Sequence, residues 1–249
     1  MHKDQPRLRP LLCRSSTGST LPTSGLGNRA AALATSQAYW RKPLGWNKQA
    51  EATHTRPFVF CASLADVFDN EVEESWRADL FELVERTPQL VWLLLTKRIG
   101  NVIRMVDHGL PKNVAIGATM ANQAEYDRDS VKLAEVNSRF TPMFTFGSFE
   151  PLLGPVALDV RAPDWIIVGG ESGRGARPMN FDWARSLREQ SEKRGRVFNF
   201  KQTGSTMGHG IDTLDGRRHL DRPDPAAIEA RRDEDDRDVR DLIGSVLAA

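Results

Sequence analysis

The chain has 249 residues, 40% of them hydrophobic, enough to bury one sizeable core. Its 34 basic and 33 acidic residues leave a net charge of +1, which excludes a general electrostatic pull toward nucleic acid or anionic lipid. Cys13 and Cys61 are the only cysteines, too few for a disulfide framework or a four-ligand zinc site, and no stretch approaches the ~18 apolar residues of a transmembrane helix. The expectation is a cytoplasmic protein without membrane contact.

In chain order, residues 1–38 are rich in Ser, Thr, Arg, Leu and Gly, carry one acidic residue, Asp4, and show no sustained helical or strand period. They read as a disordered or aberrant N-terminal segment. Ordinary globular texture begins at Tyr39, with Trp40, Trp46 and a proline-anchored turn at Arg41-Lys42-Pro43. An apolar strand near 58–62 leads through a turn into a helix on which Trp76, Leu80, Leu83 and Val84 share one face. A second strand near 91–95 precedes Thr96-Lys97-Arg98 and a short helix near 101–107, which Gly109 and Pro111 end. A third strand near 114–117 ends in Gly117-Ala118-Thr119, and a polar helix follows over about 122–138. A fourth strand near 142–146 gives way to Gly147-Ser148-Phe149-Glu150-Pro151, a fifth near 165–169 to Gly-Gly-Glu-Ser, and a sixth near 197–201 follows a helix over 182–194.

Strands alternating with helices at this spacing predict βαβ units and a mainly parallel sheet. With no GxGxxG after the first strand, the fold class is α/β of the partial or complete (β/α)-barrel kind, TIM-like, not a dinucleotide-binding Rossmann sheet. The chain then divides into the N-terminal segment 1–38, one α/β domain over 39–225 and a charged helical tail over 226–249, with 203–225 an irregular segment closing over the core or the site.

In such folds ligands bind where the strands end, so the polar residues after each strand are the candidate ligand-binding set: Lys97, Thr119, Glu150, Glu171, Arg174, Arg177, Lys201 and Gln202. Thr96, Lys97, Thr119, Glu150, Glu171 and Lys201, each following a strand on the same end of the sheet, are expected around one cavity. Glu171 either accepts hydrogen bonds from a ligand or merely belongs to a strand-to-loop turn; Arg174 and Arg177 in the same loop suit an anion or that carboxylate. Glu150 is either a site carboxylate or an ion-pair partner of Lys97 or Lys201. Lys97 and Arg98 suit phosphate or carboxylate, or start a solvated helix. Lys201 points inward or outward according to register. Asp66 reads as a cap or turn residue. His54, His108, His209 and His219 lack metal-ligand spacing and read as surface histidines, so no metal site is expected. No catalytic residue stands out.

Several blocks in fixed order, CASLADVFD, LLLTKR, FEPLLGPV, GGESGRGARPM with DWARSLREQ, and FNFKQ, resemble a phage-associated, largely uncharacterised protein family over about residues 39–202. Members of that family look like radical S-adenosylmethionine enzymes and usually carry an N-terminal three-cysteine motif. The resemblance implies a [4Fe-4S] cluster and S-adenosylmethionine at the strand carboxyl ends. This chain departs from it: only Cys13 precedes AYWRKPLGWN, Ala121 stands where an acidic residue is usual, and Thr203 stands where FKQ is usually followed by Trp. A cluster needs closely spaced thiolates, so the expectation is no cofactor in this chain and no radical activity. The abrupt change of texture at about Thr35-Ser36 is what a frameshift, a wrong start or a decayed gene would produce; a divergent tail is the competing reading. Two functions remain open: a radical-SAM-like protein holding a small-molecule ligand at the strand ends, and a non-catalytic phage or mobile-element protein binding a nucleotide or nucleic acid. No RNA-recognition or helix-turn-helix signature supports the latter.

Overall fold

The computed structural model describes residues 40–61, 66–207, 211–225 and 227–228, together with the backbone of 12–14 and 32–34. The last two stretches are short strands, β1 (Leu12–Arg14) and β2 (Ala32–Ala34), paired antiparallel. The rest of the expected N-terminal segment, and all but two residues of the expected charged tail, lie outside the described residues. Of the described helices, none is long and apolar enough to cross a membrane.

The fold is α/β, with six parallel strands whose order in the sheet follows the chain, the connectivity of a partial (β/α) barrel. The chain forms two compact units, one of 1–119 with 127–145 and one of 120–126 with 146–249.

The first unit holds helix α1 (Lys42–Ala52), β3 (Phe58–Cys61), α2 (Glu74–Glu85), β4 (Val91–Thr96), α3 (Ile99–Met105) and β5 (Val114–Thr119). β3 pairs parallel with β4, and β4 with β5. β4 and β5 are buried almost throughout, as expected of strands covered on both faces, whereas β3 alternates between half-buried and buried. On α2 the core face is Arg77, Leu80, Leu83 and Val84, with Trp76 only half-buried. Arg77 replaces the expected tryptophan because its guanidinium donates to the Val67 carbonyl, 3.2 Å away. Helix α1 was read from sequence as a turn at Pro43, but proline fits the first turn of a helix, where its missing N–H costs nothing.

The second unit carries β6 (Thr145–Phe149), β7 (Trp165–Gly169), α5 (Phe181–Lys193) and β8 (Val197–Gln202). Helix α4 (Gln123–Phe140) stands in sequence between β5 and β6. β6 pairs with β7, and β7 with β8, all parallel. β6 starts and ends about three residues later than its sequence suggests. Gly147 and Ser148, expected in a loop, are strand residues: a Cβ on Gly147 would lie 2.8 Å from the Phe149 ring and 3.0 Å from Pro163, so glycine here serves close packing and not a turn.

After β8 the chain forms a 3₁₀ turn (Ser205–Met207) and a hairpin of β9 (Thr213–Leu214) and β10 (Arg217–Arg218), where a plain irregular segment was expected. It hooks onto β8: Phe200 N donates to His219 O at 2.8 Å, and Asn199 bridges antiparallel to Leu220. Arg185 and Arg188 of α5 both pair with Asp215 at the hairpin tip, at 2.7 and 3.2 Å.

Asn113 shows how a loop residue can fasten the core. Its buried side-chain amide donates to the carbonyls of Val84, Thr87 and Leu90, all at 3.0 Å, closing the last turn of α2 and the start of β4. Replacing Asn113 by alanine leaves these acceptors without their donor. We expect a loss of about 3 kcal/mol in urea unfolding, with an unchanged denaturant slope.

Candidate functional site

The carboxyl ends of β6, β7 and β8 assemble a connected polar cluster in the second unit. It starts with an irregularity in the β7–β8 ladder. Val168 is opposite Phe200, but Gly169 is opposite Gln202, so Lys201 is the extra residue of a bulge. In a regular strand, neighbouring side chains point to opposite faces. Here both reach one carboxylate: Lys201 Nζ lies 2.6 Å from Glu150 Oε2, and Gln202 Nε2 donates to Glu150 Oε1 at 2.9 Å. The register question posed by Lys201 is thus answered by a bulge. Of the two sequence readings of Glu150, the geometry gives the ion pair, with Lys201.

Gly169 makes room for that carboxylate. A Cβ there would come within 3.0 Å of Glu150 Cδ and Oε1. Glu150 leads into a cis Glu150–Pro151 peptide, after which Leu152 N donates to Gly169 O at 2.9 Å. The Glu150 side chain is mostly buried, whereas Lys201 is about half exposed.

Beyond β7, Glu171 and Arg177 close the loop that joins them. Arg177 N and Nε both donate to Glu171 Oε2 and Nη2 to Oε1, each at 2.8 Å. The Arg177 side chain, then its backbone N–H, pulls the Glu171 carboxyl down to about 2. Gly173 (φ 108°) and Gly175 (φ 78°) make the turns between them, and Arg174 is exposed, with no hydrogen bond or ion pair among the described residues. Ser172 Oγ accepts from Gln202 Nε2 at 3.0 Å, which ties this loop to the Glu150 group.

Glu150, Lys201 and Gln202 therefore form one hydrogen-bonded group with Ser172, and the Glu171–Arg177 pair joins it along the chain through the Glu171–Ser172 step, with Arg174 on the same loop. Lys97 and Thr119 belong to the first unit. Lys97 is exposed just past β4, and Thr119 is the buried last residue of β5. At that end of the first unit the organising group is Asp66. It accepts from Thr96 Oγ1 and Lys97 N, both at 2.9 Å, from Arg98 Nη1 at 3.3 Å and from Phe68 N at 3.0 Å, as a turn residue does. Arg98 also pairs with Asp69 at 3.0 Å. Its guanidinium is thereby committed within the protein.

Sequence reasoning missed Ser172, Ser205 and Gly204, all close partners of the 171–177 loop. The available signal was the Gly-Ser after β8, which mirrors the Gly-Gly-Glu-Ser after β7. It also missed that Thr203, almost wholly buried, has a hydroxyl without a hydrogen-bond partner. His54 and His108 are exposed, His219 is half-buried with its ring edge-on to Phe198, and His209 lies outside the described residues. Among the described residues, no three His, Cys, Asp or Glu side chains gather to hold a metal ion.

Fold and site together define an α/β protein of the partial-barrel kind with a polar cluster at the strand carboxyl ends. A family model described as a protein of unknown function (DUF5131) matches residues 13–240. The chain belongs to that family. No curated protein and no solved structure matches it.

Two outcomes follow from this geometry. Thr203→Val removes the partnerless hydroxyl at constant shape and should raise unfolding stability by about 1 kcal/mol in urea titration. Because the Glu171 carboxyl is held below its ordinary value, its pairing with Arg177 is fully present at neutral pH and is lost only as pH falls through about 2. The Arg177 Nε–H resonance should stay in place from pH 7 to ~4 and move only at more acid pH; movement in step with an ordinary carboxylate would contradict the bidentate clamp.

Proposed function

We propose that the chain is a radical-SAM-like protein of a phage-associated lineage that binds a small polar ligand at the carboxyl ends of β6–β8 and performs no cluster-dependent chemistry. The observation that carries this reading is the linked Glu150–Lys201–Gln202–Ser172 and Glu171–Arg177 groups, with the exposed guanidinium of Arg174, unpaired among the described residues, beside them. Carboxylates and cations side by side at these strand ends suit a ligand that carries both an ammonium and a carboxylate or other anionic group. S-adenosylmethionine has that chemistry. Glu171 would accept from its ammonium group, and Arg174 would meet its carboxylate.

An iron-sulfur cluster does not fit this chain's donors. Three closely spaced thiolates are needed, and the chain has two cysteines. Cys61 is the last residue of β3, and burial pushes its thiol up to about 12, which opposes the thiolate form a metal requires. The nucleic-acid reading would call for uncommitted cations on one face, yet Arg185 and Arg188 are matched by Asp182, Asp215 and Glu192.

Isothermal titration with S-adenosylhomocysteine, the redox-inert analogue, is the test. The wild type should bind it, and Arg174→Ala and Glu171→Gln should each weaken binding roughly tenfold. Anaerobic treatment with iron and sulfide should leave no cluster absorbance after desalting. Absence of binding, or equal affinity of all three proteins, would remove the ligand assignment; a stoichiometric cluster would remove the claim about chemistry.

A further inference from the structure

The loop bearing Glu171, Arg174 and Arg177 is closed on itself by the Glu171–Arg177 pair and is held in place by the turn after β8. Gly170 N donates to Gln202 O at 2.9 Å, continuing the β7–β8 ladder one residue past the end of β7. One step further, Ser205 N donates to Glu171 O at 2.9 Å, and Ser205 Oγ accepts from Gly173 N at 2.9 Å. Ser205 thus uses its backbone N–H and its hydroxyl on the same loop, two residues apart. The two backbones lie so close that neither side tolerates a side chain: a Cβ on Gly170 would come within 2.0 Å of Thr203 O, and one on Gly204 within 2.4 Å of Glu171 O. Gly204 also has φ 89°, so it meets both the conformational and the steric demand.

We infer that Ser205 is a positioning residue, the clasp that fixes the 171–177 loop and with it the direction in which Arg174 and the Glu171–Arg177 pair face a ligand. Gly173, with φ 108°, begins the turn that leads to Arg174, and Ser205 Oγ is the acceptor that fixes its N–H. The clasp itself follows from the hydrogen bonds alone. Its effect on affinity rests on the ligand reading given above.

The test compares wild type, Ser205→Ala and Ser205→Thr by hydrogen exchange on peptides spanning 170–178, without ligand, and by titration with S-adenosylhomocysteine. Alanine removes the acceptor, so exchange in these peptides should quicken roughly tenfold while peptides from β4 and β5 stay as in wild type. Threonine keeps the hydroxyl and should restore the wild-type rate. Unchanged exchange in Ser205→Ala, or a rise spread equally over β4 and β5, overturns the clasp. If the wild type binds the analogue, Ser205→Ala should bind it several-fold more weakly, and equal affinity also overturns the inference. If the wild type does not bind the analogue, the ligand reading fails and the exchange comparison alone decides the clasp.

Discussion

The close approach of two backbones at Gly170 and Gly204 is the constraint on which the candidate site depends. Main-chain atoms that would lie 2.0 to 2.4 Å from any added Cβ leave no room for a side chain at either position. This contact continues the β7–β8 ladder past its regular end and brings the loop after β7 against the turn after β8. The loop carries an acid, two arginines and two glycines with positive φ; the turn carries Ser205. Without the contact these are two separate segments, a charged loop and an uncharged turn.

The bulge at Lys201 complements it. Because one residue is inserted opposite the Val168–Gly169 step, two consecutive side chains turn to the same carboxylate, and the glycine at 169 lets that carboxylate lie against β7. Glu150 is largely buried and holds two donors, so its charge is compensated where an isolated carboxylate would be costly. Glu171 is more open and depends on Arg177 alone among side chains. The two carboxylates therefore differ in kind: one braces the sheet end, and the other closes a loop around an exposed arginine.

Much of this was legible in the sequence, and the parts that were not have physical reasons. Alternating apolar runs and helical faces placed all six parallel strands, because strands covered on both sides read as continuous Val, Ile, Leu and Phe segments. Glycine was harder. At 147 it marks close packing inside a strand, at 169 a seat for a carboxylate, at 170 and 204 a backbone contact, and only at 173 and 175 the turn that sequence statistics favour. Helix α1 escaped notice because few of its residues face the core, Pro43 and Ala50 being the buried ones, so no apolar stripe announced it. The candidates Glu150, Glu171, Arg177, Lys201 and Gln202 are chosen by position alone, one after another at strand ends, and the structure shows them hydrogen-bonded to one another in two groups. What position could not supply was the pairing among them, since a bulge is invisible to a period of two.

The central claim is that the loops after β7 and β8 act as one ligand platform. Amide chemical shifts of ¹⁵N-labelled protein, followed as S-adenosylhomocysteine is added, test it most directly. The account predicts that resonances of 170–177 and of 202–205 move together along one binding curve while those of α1 and β3 stay still. Movement confined to one of the two loops, or shifts centred elsewhere in the chain, would contradict it.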